Sequence, residues 1–206
     1  MQVTIKTSGS TGEPKWVTHD ITDFMKPTHY LIQKWGITGK DVILNPFPSW
    51  TIANWAFCIM PSLWTSARVV NVPFDPKTFW DTVEEVQPTI MTLAIRTIRT
   101  LFKIKKPDLS HLRHFATGSA PVSAHDILHM RQTGAQNVWN IYGSTECIPP
   151  VFLSNDHWFG FDSPYTIEWH GDITRRSLRV DGVESGDIFY NGFCMEREEN
   201  KTWKNT

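Results

Sequence analysis

Cysteine is scarce. The 206 residues hold Cys58, Cys147 and Cys194; they are odd in number, far apart and without a CxxC pair, so neither a disulfide framework nor a thiolate metal or redox centre is encoded. A reducing, cytoplasmic setting is the expectation. Long apolar runs are missing as well: no stretch of about 18 apolar residues occurs, and Met1 to Lys6 mixes polar and β-branched residues where an export signal would place a basic segment and an apolar core. A soluble protein with no membrane partner follows. Nor is there an excess of one charge, with 20 Lys and Arg against 21 Asp and Glu, which leaves no field to attract nucleic acid or an anionic surface. Function must therefore reside in a local site. Internal repeats and low-complexity tracts are absent, and Glu196 to Asn200 alone reads as a solvated charge run.

What is present is apolar and aromatic. With 40% hydrophobic residues and ten tryptophans, the chain can bury one sizeable core, and aromatic area packs there first. From Asp20 to Trp35 the apolar residues Ile21, Phe24, Met25, Leu31, Ile32 and Trp35 recur at helical spacing, with Pro27 as the expected kink. Short β-prone runs, Asp41 to Leu44, Arg68 to Val72, Thr89 to Leu93, His114 to Thr117 and Asn137 to Ile141, alternate with longer helical stretches. Such alternation predicts an α/β fold, a mainly parallel layered sheet with helices on both faces. Ser123, followed three residues later by Asp126, has the form of a capping box for a helix over Ala124 to Thr133, with Gly134 as its stop. After Pro150 the pattern changes: Tyr165 to Trp169, Ser177 to Val180 and Asp187 to Tyr190 read as strands joined by GlyAsp, AspGly and SerGly turns. The expected division is an α/β nucleotide-binding domain over 1–160 and a small, incomplete antiparallel β subdomain over 161–206.

The chemistry is concentrated in three segments. TSGSTGEPK, Thr7 to Lys15, follows the β-prone Val3, Thr4 and Ile5. Gly9 and Gly12 can take positive φ and turn backbone amides inward, Thr7, Ser8, Ser10 and Thr11 add hydroxyls, and Lys15 adds a cation; together these suit phosphate oxygens. No GxxxxGK followed by Ser or Thr is present, so this is not a Walker loop. Its composition alone would also fit a polar surface loop, and the whole string with its ProLys end is what distinguishes it. GSAP, Gly118 to Pro121, follows the run His114 to Thr117, and YGSTE, Tyr142 to Glu146, follows the run Asn137 to Ile141. Ligands of open parallel sheets sit beyond the carboxyl ends of strands, so these loops should share space. Tyr142 offers a face for a purine, the Gly118 and Ala120 backbone a polar edge, Thr145 a hydroxyl near phosphate and Glu146 an oxygen ligand for Mg2+.

In this order and at these distances, TSGSTGEPK, GSAP and YGSTE resemble the signatures of the adenylate-forming superfamily: acyl-CoA synthetases, adenylation domains of peptide synthetases, and luciferases. Asn54 to Val70, Pro88 to Phe102 and Glu184 to Gly192, with Asp187 in the place of a glutamate, are similar to further family segments. The resemblance implies ATP-dependent activation of a small-molecule carboxylate as acyl-AMP, with release of pyrophosphate. It implies that Thr7, Ser8, Gly9, Ser10, Thr11, Gly12 and Lys15 hold the β and γ phosphates. Gly118, Ser119, Ala120, Pro121 and Tyr142, with Gly143 and Ser144 beside them, would frame the nucleotide. Thr145 would touch the α-phosphate and Glu146 would bind Mg2+, so Lys15, Thr145 and Glu146 are the expected catalytic residues. The acceptor after adenylation stays open between coenzyme A, a carrier protein, an amine and none.

Family members have a subdomain before the phosphate loop, a ribose-binding aspartate just past the segment that Thr202, Trp203 and Thr206 resemble, and a mobile C-terminal domain. The expectation is a chain truncated at both ends. Apolar surface around Trp35, Trp64 and Trp80 would then favour a homo-oligomer or a complementing chain. A non-catalytic or partner-dependent nucleotide-binding remnant of the fold is the rival reading. Trp50 and Thr51 stand where relatives often carry an aromatic and a histidine, so acid preference is not inherited. Trp16 is expected to stack on nucleotide or to pack in the core or a lid, and Cys147 to be a small buried residue. His125 and His129, at i and i+4 around Asp126, imitate a shortened HExxH zinc site. Asp126 is one methylene short of glutamate and serves better as a helix cap, while His111 and His114 are expected to be surface or hydrogen-bonded histidines rather than metal ligands.

Overall fold

Strands β1 (Gln2–Lys6) and β2 (Trp16–Asp20) pair antiparallel, Gln2 opposite Asp20 and Lys6 opposite Trp16. A computed structural model of the chain describes residues 1–6, 16–154, 162–165, 167–171, 175–181 and 183–189; the segment Thr7 to Lys15 lies outside them. Val3 and Ile5 alternate inward and are buried, as the period of two requires. The helical pattern after Asp20 divides into a 3-10 turn, Ile21–Phe24, and α1 (Met25–Trp35). Pro27 produces no kink at this place: it falls in the first turn of α1, where an N–H has no intrahelical partner to lose. Gly36 at φ 58° ends α1 in the left-handed conformation.

The central sheet has six strands: β3 (Val42–Asn45), β4 (Arg68–Asn71), β5 (Ile90–Ala94), β6 (His114–Gly118), β7 (Asn137–Tyr142) and β8 (Phe152–Ser154). Their order is β4-β3-β5-β6-β7-β8, parallel except for β8. Each strand divides its residues between two cores. Ile43, Ile90, Ala116 and Trp139 face a cluster with Phe24, Leu31 and Phe57, whereas Leu44, Met91, Phe115 and Val138 face a cluster with α4 (Phe79–Val86), α5 (Ile95–Ile104) and α6 (Ala124–Arg131). Helices thus cover both faces, as expected of a parallel sheet. β9 (Ile167–Gly171), β10 (Arg175–Val180) and β11 (Val183–Phe189) form a separate antiparallel sheet in the order β11-β10-β9. The expected SerGly turn is not one; Ser185 and Gly186 lie within β11.

Between β3 and β4, α2 (Ile52–Asn54), a π-helical turn Trp55–Ile59 and α3 (Met60–Thr65) run on without a break. Pro61 explains the π turn. It has no N–H to donate and its ring would crowd the carbonyl of Phe57, so the helix widens before it and the Met60 N–H reaches the Trp55 carbonyl, five residues back. Two of the three tryptophans expected at the surface are interior, with Trp35 only 2% and Trp80 only 4% exposed, while Trp64 is 47% exposed. Trp35 instead stacks on His114 at 5.2 Å between ring centroids and 6° between planes, and Trp139 donates from Nε1 to His114 Nδ1 at 2.9 Å. Trp80 donates to the Leu101 carbonyl at 3.3 Å. No helix among the described residues is long and apolar enough to cross a membrane.

Candidate functional site

The chain steps from β3 to β4 in one direction and returns to β5 on the other side of β3. That reversal opens a crevice at the carboxyl edge of the sheet, the usual place for a ligand in this architecture. An amide trio fixes its first wall. Asn45 Nδ2 donates to Asn54 Oδ1 at 2.8 Å and to Asn71 Oδ1 at 2.6 Å, while Asn45 Oδ1 accepts from the Phe47 amide at 3.2 Å. The end of β3, the end of β4 and the helix start are thereby locked together. Thr51 caps that helix by accepting from the Asn54 amide, and Trp50 is 55% exposed.

GSAP and YGSTE meet as expected, because β6 and β7 are neighbours and Gly118 lies opposite Ile141. A Cβ on Gly118 would stand 2.2 Å from the Ile141 carbonyl oxygen, so only glycine allows this approach. Ser119 is exposed at φ 64°, Ala120 is half-buried and Pro121 is exposed. Gly143 serves the second loop similarly, with its absent Cβ 2.4 Å from that of Pro149. Ser144 Oγ accepts the Cys147 amide at 3.2 Å, and Cys147 is buried as the sequence suggests. Tyr142 is half-buried with its ring 5.7 Å from that of Phe152. Thr145 is half-buried, and Glu146 presents an exposed carboxylate. The positions of Thr7, Ser8, Gly9, Ser10, Thr11, Gly12 and Lys15 fall outside the described residues, but both flanking strands are anchored here. The Lys6 amide donates to the Trp50 carbonyl at 3.2 Å, and His19 on β2 donates from Nε2 to the Thr145 carbonyl at 2.6 Å. Trp16 is 63% exposed and lies under Lys6 Nζ, 5.7 Å from its ring centroid, rather than in the core.

Three residues that the motifs did not single out complete the site. Asn140, two residues before Tyr142, is 4% exposed and neither its Oδ1 nor its Nδ2 has a partner; Thr117, opposite it on β6, is fully buried with an unpartnered hydroxyl. On the other face of the sheet Thr92 is 7% exposed and its hydroxyl too lacks a partner. Buried polar groups without partners are uncommon and call for an explanation. Thr92 borders a cavity of about 90 Å³ walled by Ile52, Phe57 and Ile141, whose lining reaches Ser119 and Gly143. The family model described as "AMP-binding enzyme" matches residues 3–170, which include all three motif segments.

The chain belongs to the AMP-binding enzyme family. It is 28% identical over 152 residues to an acyl-CoA synthetase of Gibberella moniliformis, a match covering 72% of this chain and 27% of that protein. It is 36% identical over 77 residues to a mitochondrial malonate–CoA ligase of Xenopus laevis, covering 37% of this chain and 13% of the ligase. The chain therefore spans a minor part of the curated relatives it matches. Its fold is that of o-succinylbenzoate coenzyme A synthetase from Bacillus subtilis, solved in complex with ATP and magnesium ion: the TM-score is 0.70 at 17% identity, over 89% of this chain and 42% of that one.

Within this family fold the histidine pair on α6 has another explanation than zinc. Asp126 accepts from Arg99 Nε at 2.9 Å and Nη2 at 2.7 Å, and from the Ser123 amide at 2.8 Å, while its own amide donates to Ser123 Oγ at 3.3 Å. Burial alone would raise the Asp126 carboxyl, but these bonds outweigh it and bring the pKa to about 2. Asp126 is thus the expected helix cap and is held ionised by Arg99. Among the described residues no three His, Cys, Asp or Glu side chains are grouped for a metal. A lone Glu146 is compatible with Mg2+, which commonly takes one or two carboxylates and completes its shell with phosphate oxygens and water.

Proposed function

We propose that this chain is the nucleotide-binding part of an acid-activating ligase, in which a carboxylate attacks the α-phosphorus of ATP, pyrophosphate leaves and acyl-AMP is formed. The observation that carries the reading is the unpartnered Asn140 amide on β7, two residues before Tyr142 and opposite Thr117, which directly precedes Gly118. A primary amide offers one donor and one acceptor side by side, the complement of the N6 and N7 edge of adenine. Tyr142 and the Gly118 to Pro121 backbone then border the base, and Thr145 lies next along the chain toward the phosphates. Lys15 and the amides of Thr7 to Gly12 oppose the negative charge of the β and γ phosphates. Mg2+ held by Glu146 would supply further positive charge. Catalysis here is chiefly positioning, with cations set against developing charge. The relatives' names make coenzyme A the favoured acceptor and a small carboxylic acid the substrate.

Acid-dependent exchange of labelled pyrophosphate into ATP tests the activity. Exchange supports a ligase, whereas ATP binding without exchange favours the nucleotide-binding reading. Asn140→Leu is expected to weaken ATP by about 5- to 150-fold, corresponding to about 1–3 kcal/mol for a bidentate pair. It should leave the fold as stable or more so, because an apolar group of similar shape replaces a buried amide without partners. Calorimetry with ATP and urea denaturation of the same variant read the two effects separately. Unchanged affinity would remove Asn140 from the site. Glu146→Ala, at an exposed position, is expected to weaken Mg2+-dependent ATP binding by about tenfold without loss of stability. An equal ATP affinity with and without Mg2+ in the parent chain would rule out that role.

A further inference from the structure

Between Gly118 and Ser123 the chain turns from β6 into α6, and it does so in a conformation that needs support from outside. Gly118 is fixed at the front of the loop by its close approach to the Ile141 carbonyl. Ser119 then takes φ 64°, left-handed backbone that a residue with a Cβ seldom adopts and that persists where the surroundings hold it. Pro121 fixes its own φ and biases Ala120 toward extended backbone. The rear of the loop is held from α5. Arg99 Nη2 donates to the Pro121 carbonyl at 3.1 Å, and the same nitrogen, with Nε, grips both carboxylate oxygens of Asp126. Asp126 in turn accepts from the Ser123 amide and hydroxyl. One guanidinium thus ties the loop and the helix cap to α5, across the groove that α5 and α6 line together. The carboxylate by itself does not require arginine, because a lysine ammonium would also neutralise Asp126. The second acceptor does. A carboxylate and a carbonyl gathered around one side chain call for a planar fork with N–H groups in fixed directions, which a compact ammonium on a flexible stem places poorly.

We propose that Arg99 is a positioning residue for nucleotide binding, which holds the Gly118 to Pro121 backbone in the shape that borders the base. This role rests on the acid-activating reading, which sets that backbone against adenine. Arg99 acts through the loop and not on the ligand. Where the loop is loose, its backbone must be ordered at the moment of binding, and the cost of ordering is subtracted from affinity for the base. The phosphates, opposed by Thr7 to Lys15, are unaffected.

Arg99→Lys and Ser123→Ala separate this role from support of the helix. Arg99→Lys keeps a cation for Asp126 and loses the fork, whereas Ser123→Ala removes the cap hydroxyl and leaves Arg99 and Pro121 as they are. Calorimetry of the full chain is run with MgATP and with magnesium tripolyphosphate, beside urea denaturation of each variant. Arg99→Lys is expected to weaken MgATP about tenfold, as for one charge-assisted hydrogen bond, with tripolyphosphate bound as in the parent. Ser123→Ala is expected to lower the urea midpoint and to leave MgATP affinity unchanged. ATP affinity that follows stability across the two variants, equal weakening of both ligands in Arg99→Lys, or MgATP bound by Arg99→Lys as by the parent would each overturn the inference. NMR order parameters of Ser119, Ala120 and Val122 in the nucleotide-free chain should fall in Arg99→Lys. Unchanged values would overturn the inference whether or not MgATP binds. A parent chain that fails to bind MgATP counts against the acid-activating reading, and lowered order parameters would then still uphold Arg99 as the residue that holds the loop.

Discussion

Asp41→Ala is expected to remove about 3 kcal/mol of stability, the low end of the 3–5 kcal/mol typical when one partner of a buried ion pair is deleted. Asp41 is 3% exposed, and its carboxylate accepts from Arg113 Nε at 3.1 Å and Nη2 at 3.0 Å, Thr89 Oγ1 at 2.7 Å and the Thr38 amide at 2.9 Å. These bonds join the end of α1 to the starts of β3, β5 and β6. The low end applies because the Arg113 side chain is 36% exposed and can recover some hydration. By contrast Lys26→Ala, which breaks the exposed pair with Asp181, should cost less than about 1 kcal/mol. Urea denaturation of the two variants beside the parent checks both values. An Asp41→Ala loss below that of Lys26→Ala would show that the amino edge of the sheet is held by something else. Since the Asp41 lattice lies at the sheet edge opposite the candidate site, ATP affinity of the folded variant should match the parent.

The second large effect is a loss of stability between pH 6.5 and about 4, arising at His114. Burial lowers the His114 pKa from 6.5 to about 4, helped by the Arg113 charge and opposed by the Trp35 carbonyl and Asp41. The bonding geometry gives the reason. Trp139 Nε1–H can only donate, so His114 Nδ1 must accept, and Nε2–H donates to the Trp35 carbonyl at 2.9 Å. A proton on Nδ1 would set two donors against each other inside an aromatic sandwich. The folded pKa lies below the unfolded one, so between the two values the unfolded chain binds a proton that the native chain does not. Stability is therefore full above pH 6.5 and falls as pH drops through that window, by about 3 kcal/mol at about 1.4 kcal/mol per unit. Asp41 and Asp126 act lower, because their depressed carboxyls give stability that is present above 3.8 and lost only as pH falls below it. His114→Gln retains one acceptor and one donor without a titrating ring, and its urea midpoint should be flatter over pH 4.5 to about 7. A parent midpoint that does not move across this range would disprove the assignment.

The sequence reading gave Asp41 no more than the start of a β-prone run and left His114 between a surface and a hydrogen-bonded position, without naming a partner for either, and the same division runs through the fold. The sheet was legible because β-branched runs such as Arg68 to Val72 and Asn137 to Ile141 alternate with amphipathic stretches, and local pattern sets local structure. The start of α6 was legible because a capping box needs only Ser123 and Asp126. GSAP and YGSTE could be placed together because loops at the carboxyl ends of parallel strands must lie on one edge, and family resemblance assigned them to a nucleotide. The string WVTHD gave no comparable signal for β2, since its strand pairing depends on Gln2 to Lys6 across the intervening segment. Likewise Trp35 and Trp80 were misplaced at the surface because an aromatic's burial is decided by partners distant in sequence.

The sequence by itself determined the element types, the parallel class of the sheet and the loops that carry the family signatures, since each depends on neighbours within a few positions. Tertiary structure alone decided the polar inventory of the site. Asn45, Asn54 and Asn71 become one network only after β3 and β4 pair and α2 brings Asn54 beside them. His19 finds the Thr145 carbonyl from 126 residues away. Asn140, Thr117 and Thr92 show unmet hydrogen bonds only once burial has removed water and strand order has fixed who stands beside them. A hydrogen-bonding group announces a ligand by what it lacks in the folded state, and that lack is a property of the packed neighbourhood.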